Sequence, residues 1–178
     1  MTARAVHLHG ALLKALGGRV NWTSPTNDKP LILDLREPES LRLRVYMYSL
    51  VGGAGERARR EYKIVLRVRD QAVGQYGSFD HSDGRFTTVV GYDADLDVFV
   101  FWDASLHPRF KNGGNLQVRD QVVRNAAVYG TAEQVRYLTN GAKEAVLVCQ
   151  SPELWRTLQT RITTTGGIEE GECLTFLN

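Results

Sequence analysis

GRFTTVVGYDADLDVFVFWDA, residues 84–104, decides the fold class. Residues 84–93 and 98–104 are rich in β-branched and aromatic side chains, which suit a pleated, buried surface. The connection between them, DADLD, is short. A parallel pair needs a crossover of a dozen or more residues, so these two strands form an antiparallel hairpin. Working outward, LRLRVYMYSL (41–50) alternates, with Leu41, Leu43, Val45 and Met47 on one face and Arg42, Arg44, Tyr46 and Tyr48 on the other. EYKIVLRV (61–68) alternates too: Tyr62, Ile64, Leu66 and Val68 point inward, Lys63, Val65 and Arg67 outward. Period two is the signature of a strand. LILDL (31–35) is another short strand, and QVRYLT (134–139) with EAVLVCQ (144–150) makes a hairpin across the Asn-Gly of NGAK.

Three segments carry helical spacing. Residues 5–16 place Val6, Leu12, Leu13 and Leu16 near one stripe, stopped by Gly17-Gly18. Residues 117–127 set Val118, Val122 and Ala126 four apart. Ser151 and Pro152 read as N-cap and first residue of a helix with Leu154, Trp155, Leu158 and Ile162 as its apolar face. Residues 21–30, NWTSPTNDKP, read as a loop. The expectation is a single α+β domain over residues 1–178: an N-terminal helix and loop (1–30), a β-rich core with one helix (31–150), and a C-terminal helix and tail (151–178). Its core is a curled antiparallel sheet or pseudobarrel of about seven strands with two to three flanking helices.

Composition narrows the function. The chain has 178 residues, 43% apolar and 24% charged, an ordinary soluble balance. No apolar run approaches the ~18 residues that would span a membrane, and the N-terminal stretch does not read as a signal peptide. Cys149 and Cys173 make neither a disulfide framework nor a zinc site, Cys149 reads as core, and a cytoplasmic location is expected. Charge is segregated: residues 36–69 hold nine Lys/Arg against four Asp/Glu, residues 70–103 one against seven, and residues 104–161 eight against four. A chain patterned this way can present a basic face to a polyanion. The competing reading pairs the basic blocks with the acidic one.

Chemical motifs are sparse. GGAGERARR (52–60) lacks the Gly-Lys-Ser/Thr of a phosphate loop and runs into a strand. Asp93, Asp95 and Asp97 lack the Gly and Glu of a calcium loop and read as a solvated hairpin tip. No zinc motif or nucleophile elbow is present, so neither a metal nor catalysis is expected. One alternative is a small nuclease in which Asp34, Glu61 and Lys63 form an acid plus Glu-x-Lys set holding Mg²⁺. Another is a protein-interaction module with a basic face.

The nucleic-acid reading rests on more residues. Arg57, Arg59, Arg60 and Lys63 gather at the Gly-rich loop and the strand after it, and Arg42, Arg44, Arg67 and Arg69 lie on outward faces. Arg109, Lys111, Asn112, Asn115 and Gln117 crowd a second loop after His107. Arg and Lys neutralise phosphates, and Arg, Asn and Gln read base edges. Tyr46, Tyr48, Tyr76 and Trp102 are candidates for stacking on a base.

The order VYMYSLVGGAGERARREYKIVL, TTVVGYDADLDVFVFWDA, then the Asn/Gly loop into NLQVRD resembles the β-rich DNA-recognition domains of bacterial restriction and modification-dependent endonucleases, some of them B3-like pseudobarrels. The resemblance covers about residues 41–150. It implies a DNA-binding specificity domain for duplex DNA, modified or not, that works with a nuclease domain or subunit. Arg57, Arg59 and Arg60 would then lie on one groove-entering arm and Lys111, Asn112, Asn115 and Gln117 on the other, the two arms side by side.

Overall fold

The computed structural model describes residues 2–52 and 60–166, with side chains from residue 4. Arg57 and Arg59 lie outside the described residues. The chain order is α1 (Thr2–Leu16), β1 (Val20–Thr23), β2 (Leu31–Leu35), β3 (Arg42–Ser49), β4 (Val51–Gly52), β5 (Glu61–Val65), β6 (Tyr76–Gly77), β7 (Phe86–Asp93), β8 (Val98–Trp102), β9 (Phe110–Lys111), β10 (Asn115–Arg119), α2 (Asp120–Tyr129), β11 (Thr131–Tyr137), β12 (Lys143–Gln150) and α3 (Leu154–Thr163). Among the described residues none of the helices is long and apolar enough to cross a membrane.

Seven strands form one sheet in the order β1-β2-β3-β7-β8-β12-β11; β10-β5-β4 form a second, and β6-β9 a two-stranded ribbon. The large sheet is apolar on both faces. Leu43, Val45, Phe99 and Leu147 belong to one core with α1 and α3, whereas Tyr46, Val100, Trp102 and Val148 belong to another with the small sheet and α2. A sheet covered on both sides needs nearly continuous apolar strands, and VFVFW is that kind of run. Burying each such side chain stabilises by about 1.5–3 kcal/mol.

The two hairpins form as the sequence predicts. β7 pairs antiparallel with β8 from Asp93↔Val98, and β11 with β12. Gly141 turns the second at φ +83°, and Asn140 Oδ1 accepts from the Ala142 N–H at 3.0 Å. The pairing at the sheet centre corrects the all-antiparallel expectation. β3 lies parallel to β7 over seven registered positions from Leu43↔Phe86 to Ser49↔Tyr92. Residues 50–85, with β4 and β5 of the small sheet among them, supply the long crossover that such a pair requires.

Several local expectations are also corrected. Residues 20–23 are an edge strand, not part of a loop, and pair with β2. Val118 lies on β10, so the second helix starts at Asp120 rather than at 117. Val6 is 43% exposed, and the buried stripe of α1 runs through Ala5, Leu8, Leu12 and Leu16. Ser151 opens a 3-10 turn, where its hydroxyl donates to Asp97 Oδ1 at 2.6 Å instead of capping a helix. Asp97, which also accepts from the Tyr92 hydroxyl at 3.1 Å, is therefore tied in rather than solvated. Cys149 is buried, and that burial pushes its thiol pKa up to about 12.

Curling brings the two sheets close to closure. β3 runs through Leu50 into β4 on one side, and β10 approaches β11 on the other. Backbone ladders do not close this second side, and among the described residues there is no continuous barrel.

Candidate nucleic-acid interface

β5 and β10 pair antiparallel over five positions: Glu61↔Arg119, Tyr62↔Val118, Lys63↔Gln117, Ile64↔Leu116 and Val65↔Asn115. Alternation does the sorting. Tyr62, Ile64, Leu116 and Val118 are buried, and the intervening positions face out. The outward face therefore carries Lys63 beside Gln117, Arg119 beside Glu61, and Asn115 beside Val65. Directly opposed side chains in such a ladder have Cβ atoms about 5 Å apart. Val51 of β4 extends the same face opposite Lys63.

Further cations flank both ends of this ladder. At the Glu61/Arg119 end an open cleft of about 810 Å³ is lined by Arg60, Glu61, Arg119, Asp120 and Gln121. At the Val65/Asn115 end lies the β6-β9 ribbon, tied on by Gly113 N–H to the Leu66 carbonyl (2.6 Å) and Leu66 N–H to the Gly114 carbonyl (2.8 Å). Gly113 sits at φ +100°, which favours glycine, and a Cβ on Gly114 would stand 2.9 Å from the Lys111 carbonyl. The ribbon presents Lys111 in register with Tyr76, and the Arg109 guanidinium lies 3.9 Å from the Tyr76 ring centroid. Arg67 and Arg69 are exposed in the adjoining segment.

Arg60, Lys63, Arg67, Arg69, Arg109, Lys111 and Arg119 thus flank or occupy one face, and among the described residues none of them is in an ion pair. Part of the acidic block is engaged elsewhere. Asp80 and Asp83 pair with Arg44 at 3.1 and 3.2 Å. Hydrogen bonds from Ser82, and then Arg44, hold the Asp80 carboxyl below the usual range.

Other sequence candidates move. Arg44 is 5% exposed and, besides its ion pairs, donates to the carbonyls of Asp80 and Ser82. Trp102 is fully buried, its indole N–H donating to the Gln117 carbonyl at 3.3 Å, so it is core and not a stacking platform. Tyr46 is buried as well, with its hydroxyl accepting from the Asp80 N–H, and Tyr48 is half-buried with its phenol pKa pushed up by burial. Tyr76, 67% exposed, is the stacking candidate that the structure leaves accessible. Asn112 is 2% exposed, its amide accepting from the Val68 N–H and donating to the Gln71 carbonyl, which makes it a loop brace.

The nuclease set is not assembled. Asp34 sits on β2 of the large sheet, 2.6 Å from Arg85, whereas Glu61 and Lys63 sit on β5 of the small sheet. No group of three or more acidic, His or Cys side chains suited to a metal occurs among the described residues. The first loop itself lies outside the described residues. Its described flank, Arg60, lies beside Asp120 at one end of the ladder, and Gly113-Gly114 lie beyond the other end, across the five registered pairs.

Sequence reasoning missed a buried polar chain: Arg161, Asp103, Glu144, His107 and Arg136. Burial works against ionisation of Glu144, but His107 and Arg136 outweigh it and hold its carboxyl below the usual value. The hairpin register that puts Arg136 opposite Glu144 was the available signal.

Residues 41–155, from the start of β3 into α3, match the model of a protein family described as methylase-associated X1. No curated protein and no solved structure matches the chain.

Proposed function

The chain belongs to the methylase-associated X1 family, which relates to restriction-modification systems, and from that premise we propose that it is a DNA-recognition module of such a system. One observation carries the reading: an outward sheet face bearing Lys63, Gln117, Asn115 and Arg119, with cations at both ends that make no ion pair among the described residues. The ladder, about 14 Å long, is comparable to the ~12 Å width of a B-DNA major groove, which admits a β-ribbon. Flanking arginines and lysines would sit on phosphates, while Asn115 and Gln117 have the amide geometry for base edges.

On this reading the two curled sheets are an open pseudobarrel of the B3-like kind. The chain acts in the bacterial cytoplasm and lends recognition to a nuclease or methylase of the same system. The test is duplex binding by the full chain, with and without base methylation, over a salt series from about 50 to 200 mM. Binding that weakens steeply with salt, and weakens further in Lys63→Ala, is expected. No binding to either duplex at about 50 mM salt would overturn the proposal.

A further inference from the structure

The seam between β10 and β11 is spanned by side chains. Gln134 Oε1 accepts from the Arg119 N–H at 2.8 Å, and Arg136 Nη1 donates to the Gln117 carbonyl at 3.1 Å. Trp102 donates to the same carbonyl from β8. These contacts stand where ladder bonds would hold an ordinary neighbour, and they fall on the two residues, Gln117 and Arg119, that face outward.

Arg136 is itself fixed from behind. Its Nε and Nη2 both reach Glu144 Oε2 at 2.6 Å. Glu144 is fully buried, and its other oxygen accepts from the Asp103 N–H at 3.1 Å and meets His107 Nε2 at 2.9 Å. Asp103 in turn bonds Arg161 at 3.1 Å and the Gly166 N–H at 2.8 Å. The chain of polar contacts therefore runs from α3 through the large sheet to β10. Buried ion pairs add little net stability, because desolvation cancels much of the attraction. A charge-assisted fork is stiff and directional, however. All three guanidinium nitrogens of Arg136 are engaged, using three of its five N–H donors, so the group is held in the seam from three directions.

We propose that Arg136, mounted on Glu144, is a positioning residue. It sets the height and register of β10 so that Asn115, Gln117 and Arg119 share a plane with Lys63. This rests on the DNA reading, because the plane matters only if that face is the contact. Two readouts keep the claims apart: amide hydrogen exchange of β10 without DNA, and duplex binding. In Arg136→Met the Leu116–Val118 amides should exchange faster. Affinity should fall roughly fivefold or more, within the range of couplings between contacting residues, with the salt slope unchanged because no phosphate contact is lost. Gln117→Ala should then cost less in the Arg136→Met background than in the wild type. Additive losses, or a salt slope reduced by about one, would overturn the proposal. Gln134→Ala leaves the buried pair intact. If Arg136→Met fails to fold, Arg136→Lys, which keeps the charge but cannot make all three contacts, takes its place, and β10 exchange there no faster than in Gln134→Ala sinks the idea. If the wild type binds no duplex, the DNA reading falls, and exchange alone decides whether Arg136 positions the strand.

Discussion

Removing Lys63 and Arg119 together should change the salt dependence of DNA binding by a calculable amount. Each phosphate contact adds about 0.9 to the slope of log affinity against log salt. Seven cations lie on or beside the face without an ion pair among the described residues: Arg60, Lys63, Arg67, Arg69, Arg109, Lys111 and Arg119. If all seven touched phosphate the slope would reach roughly −6, an upper bound. Losing two should lower its magnitude by about 1.8, so that raising salt fourfold costs about twelvefold less than in the wild type. Fluorescence anisotropy with a labelled duplex at four or more salt concentrations measures this directly. Lys14 supplies the control. It is exposed on α1, across the large sheet from the small one. Lys14→Ala removes the same formal charge as Lys63→Ala alone but should leave the slope unchanged. If Lys14→Ala flattens the slope as much as Lys63→Ala does, the protein is attracted by its general field and not by this face. If Lys63→Ala/Arg119→Ala leaves the slope intact, the face is not the contact.

Gly91→Ala should destabilise by about 1–3 kcal/mol by overpacking, because a Cβ there meets Ile64 at 2.9 Å and Leu50 and Trp102 at 3.1 Å; a chemical-denaturation midpoint reports it. Trp102→Ala should cost about 3–5 kcal/mol of stability, and a variant as stable as the wild type would argue against its place in the core. His9 titrates below its ordinary 6.5, first because burial penalises the charged ring. The unfolded chain therefore takes up that proton first, and stability should fall as pH drops below about 6.5. Glu144 is held below its ordinary 4.5, so its contribution is present above that pH and is lost on further acidification through its lower folded value. Thermal melts across pH should show Glu144→Gln flattening only the more acidic window. Supercoiled plasmid should survive incubation with the chain and Mg²⁺; cleavage abolished by Glu61→Ala would reinstate the nuclease alternative.

What was legible in the sequence was local. The β7-β8 and β11-β12 hairpins could be read because each turn lies within a few residues of the strands it joins. The parallel β3-β7 pair could not, because its partners stand a whole crossover apart and no short-range pattern records which strands meet. Period two misled at Arg44 and Tyr46. Alternation separates two faces but does not say that the second is dry, and here the segment 79–83 covers both residues. Trp102 shows the same limit, since an aromatic residue in VFVFW looks alike whether its face meets solvent or a second core. At 115–119 the period-two pattern of Asn115, Gln117 and Arg119 was in the sequence but was absorbed into the helix that follows it.

That reassignment alters the physical picture of recognition more than any single residue does. A recognition element that orders only on closing over DNA loses conformational entropy, at about 1–2 kcal/mol for each backbone residue fixed. A paired ladder has met that cost in folding. Lys63 and Gln117 stand at a spacing set by strand geometry, and the ends of the face are fixed by Gly113, Gly114 and the Asp120 N–H to Arg60 carbonyl bond at 2.8 Å. Specificity carried this way should be sensitive to the register of β10 and tolerant of loop length. The weak point is then the one place where the strand lacks a backbone neighbour, the seam that Gln134 and Arg136 span.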